Sequence, residues 1–290
     1  MKEVAIHYSK NIREILKSAK RDKVDLYAPS IAYYLIFSLA PILIILVALG
    51  GLLFGENTSS SWLGGIALSY FGPGAVSFTD NIYKSLNSLG TNVLALAMSV
   101  FFILYGATGL FERLNKAFLD IFNFDQVDDF KTNLIKRVES IIYIIVLFIL
   151  FLAIAVASVV GNVVISLGQS ILGSYLPNMV WGIANYILTL GLISAVFMAI
   201  YIPASRGRLK WSSAWRGGLI GGVLFSIVNA LFGLYVSFSA SISLYGAASF
   251  LVVFLLWINY FILSLLLGAE VAKYAEYQNL KKKANFTSKV

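Results

Sequence analysis

GGLIGGVLFSIVNALFGLYVSFSASISLYGAASFLVVFLLWINYFILSLLLGA, residues 217–269, holds no charged side chain. A helix crosses the hydrocarbon core of a bilayer with about 20 apolar residues. This stretch is therefore long enough for two crossings, with Ser239, Ser241 and Ser243 as the connector. Three further gaps in the charge pattern read the same way. Asp25 to Glu56 and Lys84 to Glu112 each fit one span, and Glu139 to Arg206 fits two, parted by Gly168, Gly173, Pro177 and Asn178. The total is six. Strands of a membrane barrel are only about 10 residues long and alternate in polarity, so these continuous apolar runs exclude a barrel.

Composition agrees. Of 290 residues 59% are hydrophobic and 12% charged, against roughly 25% charged in a soluble domain. The expected fold is all-α and polytopic, with spans at about 29–54, 91–111, 141–167, 180–202, 217–238 and 245–272. A cytoplasmic N-terminal segment (1–28), a six-span domain (29–272) and a basic tail (273–290) follow. The outer loop runs over 55–90 and a cytoplasmic loop over 112–140. The first 25 residues lack an apolar core, so no cleavable signal peptide is expected and span one serves as the insertion signal.

Orientation follows from the cations, which favour the cytoplasmic side. Of the 22 Lys and Arg residues, only Lys84 falls in a loop of the opposite side. Both termini are therefore expected in the cytoplasm. The net charge of +8 reads as this topology signal, with a basic inner face suited to anionic phospholipid rather than to nucleic acid. No feature points to an oligomeric state.

Three flanking pieces have amphipathic spacing. Ile12, Ile15, Leu16 and Ala19 share a helical face with Arg13, Lys17 and Lys20 off it, and Leu114, Phe118, Ile121 and Phe122 form a second such set. Each suits a helix in the cytoplasmic interface or one packed on the inner ends of the bundle. On the outer side, Trp62 to Phe78 is uncharged and broken by Phe71-Gly72-Pro73-Gly74, and Asp80 to Leu89 fits a short interfacial helix.

Catalytic, cofactor and metal residues are all expected to be absent. There is no Cys, His7 is the single His, and no phosphate-binding or nucleophile motif occurs. Asp120, Asp125, Asp128 and Asp129 form an acidic group that could attract Mg²⁺. Their interleaving with Lys and Arg fits a solvated face better. Polar groups inside the spans are the remaining substrate-pathway candidates: Tyr33, Tyr34, Ser38, Pro41, Asn185, Asn229, Tyr245, Asn259 and Glu270. Pro41 should kink span one. An interfacial aromatic belt explains Tyr33 and Tyr34 equally well, and interhelical hydrogen bonds explain the Asn positions at least as well. Glu270 reads as an interfacial carboxylate paired with a nearby cation, or as a polar anchor in a cavity. Gly217-Gly218 and Gly221-Gly222 give span five a small-residue face for close packing.

Ala32-Tyr33-Tyr34 followed by Ser38-Leu39-Ala40-Pro41 resembles the first-span signature of the YihY/virulence factor BrkB membrane proteins. Gly109-Leu110-Phe111 with Leu114-Asn115-Lys116-Ala117-Phe118, then Leu209-Lys210-Trp211, Leu244-Tyr245-Gly246-Ala247, Leu256-Trp257 and Leu267-Gly268-Ala269-Glu270 are similar to its later segments. The resemblance runs from about residue 25 to 273, and leaves out the Phe-Gly-Pro-Gly loop. It implies a six-helix protein of the bacterial inner membrane tied to the cell envelope. Members have carried the label ribonuclease BN, which the absence of a catalytic His does not favour here. Others are associated with serum resistance and with movement of envelope lipid or lipopolysaccharide precursors. A transporter or flippase for such a lipid is the expected function; a non-transporting scaffold for envelope assembly is the alternative. Residues 33, 34 and 270 are expected at similar depth, around a cavity shared by spans one and six.

Because the chain has no Cys, its topology can be read by single-Cys labelling in intact cells. Ser60→Cys should react with an impermeant maleimide from outside and Ser288→Cys should not; the reverse pattern would overturn the orientation.

Overall fold

The computed structural model describes residues 2–36, 80, 84, 93–123, 166–168, 170, 178–239 and 246–287. Among these every regular element is α-helix. They are α1 (Lys2–Arg21), α2 (residues 24–36), α3 (Val93–Ile121), α4 (Asn178–Ala204), α5 (Trp211–Ser239) and α6 (Gly246–Thr287). Residues 80 and 84 are also helical, as expected for the outer-side helix. Most of spans one and three, Ser38, Pro41, Tyr245, Asp125, Asp128, Asp129 and nearly all of the 55–90 loop lie outside the described residues.

Three described stretches are long and apolar enough to cross a membrane: Val180–Ala204, Trp211–Tyr235 and Val252–Lys281. Each is apolar round much of its circumference. Ile183 and Ile187 on α4, Ile220 and Leu231 on α5, and Val252 and Leu256 on α6 are all exposed. Helices with that pattern are at home in lipid.

The helix ends are defined by local chemistry. α1 stops where Lys23 takes a left-handed backbone (φ 56°), and α3 where Asn123 does so (φ 54°). Such residues terminate helices because the next amide can no longer reach back four residues. Pro203 lies in the last turn of α4, followed by Arg206 and Gly207 at positive φ. Arg208 then donates to the carbonyls of Phe122 and Asn123, both at 3.0 Å. Those acceptors at the end of α3 have no partner within their own helix.

Two boundaries differ from the sequence reading. α3 continues unbroken through span two to Ile121, so the amphipathic piece is its last turns rather than a separate helix. Its apolar face packs inward, since Leu114, Phe118, Ile121 and Phe122 are buried. The interfacial reading of that piece is replaced by the packed one. The tail is not separate either, because α6 has 42 residues and extends helically to Thr287. At 1.5 Å per residue it is about 63 Å long, well beyond a hydrocarbon core of about 30 Å.

The described residues form two compact units. One comprises residues 1–25, 115–226 and 263–290. Its centre is α5, whose glycines meet two helices. A side chain at Gly217 would strike Gly268 and Ala272 of α6, and at Gly218 or Gly222 it would strike Ser194 of α4; at Gly221 it would meet the Phe197 ring of α4 and crowd the Ser264 carbonyl of α6. Small residues let helix backbones approach where lipid offers no hydrophobic drive between them. Tyr201 of α4 is fully buried here and donates to the Leu265 carbonyl at 2.6 Å. Its ring meets Phe118 edge-on. The other unit comprises residues 26–114 and 227–262. There Trp257 stacks on Phe254 and Phe261 and donates to Asn229 Oδ1 at 3.3 Å.

Gly217→Ala should lower the melting temperature in detergent, with a loss of about 1–3 kcal/mol from overpacking. Nothing lies near Gly233, so Gly233→Ala should be neutral or stabilising by about 0.5–1 kcal/mol. Equal responses would show that the α5 glycines do not carry the packing.

Candidate functional site

The densest buried polar chemistry lies in the first unit, where α1 meets α6. Helical spacing puts Ser18 and Asp22 one turn apart. Asp22 follows the last residue of α1 and its amide still reaches the Ser18 carbonyl at 2.8 Å. On α6, Glu270 and Lys273 are also one turn apart. Lys273 Nζ is ion-paired with Asp22 Oδ2, lies 3.2 Å from Ser18 Oγ and sits 3.6 Å from Glu270 Oε2. Arg21 Nε reaches the other Asp22 oxygen at 3.0 Å from the exposed side.

The two carboxylates are treated very differently. Burial works against ionisation of Asp22, yet its donors Arg21 and Lys273 outweigh that penalty and hold its carboxyl below the usual carboxylate range. Glu270 is 1% exposed and neither of its oxygens accepts a hydrogen bond. One ammonium thus serves two buried acids and favours Asp22. Of the two sequence readings of Glu270, pairing with a nearby cation holds through Lys273. Its burial removes the solvated interface from that picture.

A second cluster lies further along α6. Glu276 Oε2 accepts from the Lys210 amide at 3.2 Å and from Ser213 Oγ at 2.6 Å, and Asn279 donates to Ser213. The carboxylate caps the N-terminus of α5, where free amides and the helix dipole favour negative charge. This cluster serves to position α5 against α6.

The other described candidates fall in both units. Tyr34 rests on Gly109, where a side chain would collide with its ring, and packs at 6.2 Å from Tyr105. Tyr33 is exposed and meets Tyr34 edge-on. Asn185 is exposed, and its backbone carbonyl accepts from Thr189. Asn229 holds Trp257, while Asn259 Oδ1 is buried without a donor. Tyr33, Tyr34, Asn229 and Asn259 belong to one unit, Asn185 and Glu270 to the other. Among the described residues no group of His, Cys, Asp and Glu could hold a metal ion.

Sequence reasoning missed Ser18, Asp22, Tyr201 and Glu276. A usable signal was present in α1: Asn11, Ser18 and Asp22, spaced by seven and four, form a polar stripe.

These features define a helical membrane protein with apolar spans and a polar cluster where its longest described helix leaves its apolar run. The chain belongs to the family described as Virulence factor BrkB, which it matches over residues 15–289. It is 24% identical over 246 residues to the protein YfkH of Bacillus subtilis, whose name calls it ribonuclease-like, covering 83% of this chain and 86% of that one. A UPF0761 membrane protein of Alteromonas mediterranea is 23% identical over 262 residues, covering 88% and 84%. One of Xanthomonas campestris is 26% identical over 259 residues, of which this chain spans 57%. No solved structure matches the chain.

Lys273→Met leaves two buried acids without their ammonium and should destabilise by about 3–5 kcal/mol. Asp22→Asn should lower the melting temperature at neutral pH. A carboxyl held low in the folded state stabilises above its unfolded value, about 3.9, and that contribution disappears as pH falls through the folded value. The gap between Asp22→Asn and the parent protein should therefore close only below about pH 4. A gap independent of pH would show that the charge of Asp22 is not what holds the contact.

Proposed function

We propose that this protein is a multi-pass transporter or flippase-like protein of the bacterial inner membrane, with six spans and both termini cytoplasmic. Its cargo is a lipid or lipid-linked envelope precursor. The observation that carries the reading is Glu270, a buried acid on an apolar helix whose oxygens accept no hydrogen bond and whose one close cation, Lys273 at 3.6 Å, is shared with Asp22. An acceptor left bare in a low-dielectric place costs about 1–3 kcal/mol, and more when charged. Groups retained at such cost inside membranes commonly mark a substrate path. Asn259 Oδ1, also on α6, is bare as well. Both positions want donors, and the headgroups of phospholipids and lipid-linked sugars carry hydroxyl or ammonium donors. The chain has no nucleotide-binding motif, so movement is passive or gradient-driven. No catalytic or cofactor chemistry is assigned to it.

The test is reconstitution into liposomes with headgroup-labelled phospholipid and a membrane-impermeant quencher. Loss of outer-leaflet signal should be followed by a protein-dependent second phase. Glu270→Gln should slow that phase roughly tenfold, or about 1.4 kcal/mol of barrier, without changing the melting temperature as Lys273→Met does. Translocation no faster than in protein-free vesicles would favour the scaffold reading. The same preparation should leave RNA intact; cleavage by it would overturn the non-enzymatic assignment.

A further inference from the structure

α1 presents the wrong face to the protein for a simple amphipathic helix. Its apolar stripe from the sequence is Ile12, Ile15, Leu16 and Ala19. The side turned to α6 is instead centred on Asn11, Ile15, Ser18 and Asp22. Asn11 Oδ1 and Glu14 Oε2 share the single Tyr274 hydroxyl proton, at 2.9 and 3.1 Å from its oxygen, and Ser18 and Asp22 meet Lys273. Ala19 is buried on this side, but Ile12 and Leu16 are 57% and 56% exposed.

The spread of these contacts gives the direction of α1. Residues 11 to 22 extend about 16 Å along a helix, whereas their partners are neighbours in the chain, about 1.5 Å apart along the α6 axis. Helices lying side by side would match residue for residue. α1 therefore crosses α6 steeply. The crossing lies at Lys273 and Tyr274, past the apolar run Leu265-Leu266-Leu267 and one turn beyond Glu270. A helix laid across a spanning helix at the end of its apolar stretch lies in the plane of the membrane surface.

At 100° per residue, the face leaving α6 reads Ile12, Leu16, Lys20, Arg13, Lys17, and all five side chains are exposed. Two apolar side chains thus adjoin three cations on one flank. Apolar residues placed to enter the acyl boundary, with cations beside them at headgroup level, are the elements of interfacial binding. The polar contacts to Tyr274 and Lys273 fix the rotation of the helix so that this flank faces away from the protein.

The geometry points to α1 as a docking surface for an anionic phospholipid leaflet, with Ile12 and Leu16 inserted and Arg13, Lys17 and Lys20 on the phosphates. It rests on the chain crossing a membrane with its N-terminus on the anionic leaflet, and holds whether or not the protein moves lipid.

The absence of Cys makes the test clean. Nitroxide labels on Ile12→Cys, Leu16→Cys and Glu14→Cys are compared in nanodiscs holding one copy each, made of phosphatidylcholine with or without phosphatidylglycerol. With phosphatidylglycerol, labels at 12 and 16 should collide with oxygen more than with a water-soluble nickel chelate, and the label at 14 should do the reverse. Removing phosphatidylglycerol, or changing Arg13, Lys17 and Lys20 together to Gln, should move labels 12 and 16 toward water by roughly tenfold in their lipid-to-water distribution. Labels in water in both lipids would overturn the proposal. So would insertion indifferent to phosphatidylglycerol, or dipolar broadening in vesicles at high protein density, which would put a second copy on this face. None of these outcomes bears on the translocation assay.

Discussion

Backbone carbonyls and amides have no water to turn to inside a bilayer, and this constraint shapes the long apolar helices. Each long apolar stretch must close its hydrogen bonds within itself, so it becomes a helix. Association then depends on how closely the helices approach, because apolar side chains gain little by leaving lipid for protein. α5 answers with two pairs of glycines that open it to α4 and α6. Tyr201 uses the space left by Gly268 to place its hydroxyl on the Leu265 carbonyl. Two glycine-lined contacts and one buried phenol therefore position the lower part of α6, and with it Glu270.

Beyond the apolar stretches the logic changes from shape to charge. α3 ends on the guanidinium of Arg208, and α5 begins on the carboxylate of Glu276. α1 is pinned to α6 by Asp22, Ser18 and Asn11. Each contact satisfies a helix end or a buried charge. The 15 residues of α6 from Lys273 to Thr287 are helical although their composition resembles a loose basic tail, and Lys273, Tyr274 and Glu276 at their start supply three of the partners.

The class of fold was legible from charge gaps alone, and three of the expected spans coincide with long apolar helices. Span four was expected at 180–202 and α4 is Asn178–Ala204. What composition could not show was continuity: nothing in Phe111-Glu112-Arg113 marks whether a helix stops or proceeds. Charged residues end a hydrophobic run without ending a helix. Packing direction was equally hidden. In α1 the apolar periodicity was real, but hydrogen bonds to Tyr274 and Lys273 outweighed it and turned a polar stripe inward. Glu270 was recognised as unusual from its position, whereas its competition with Asp22 for one ammonium needed the fold.

The family-like motifs acquire a physical meaning that differs from a catalytic one. Tyr34 and Gly109 come from two separate motifs and meet because the ring requires a residue without a side chain. Leu209-Lys210-Trp211 is the start of α5, held by Glu276. Leu267-Gly268-Ala269-Glu270 supplies the glycine beneath Tyr201. Most of these signature residues therefore build the scaffold, and their recurrence in a motif is no guide to chemistry. The discriminating property is polar satisfaction. Tyr34, Asn229 and Lys210 are each accounted for by a packing or hydrogen-bonding partner. Glu270 is only partly so: it is 1% exposed, neither oxygen accepts a hydrogen bond, and its Lys273 partner at 3.6 Å is shared with Asp22. An acid held there on a share of one ammonium is the residue on which the proposed lipid path rests.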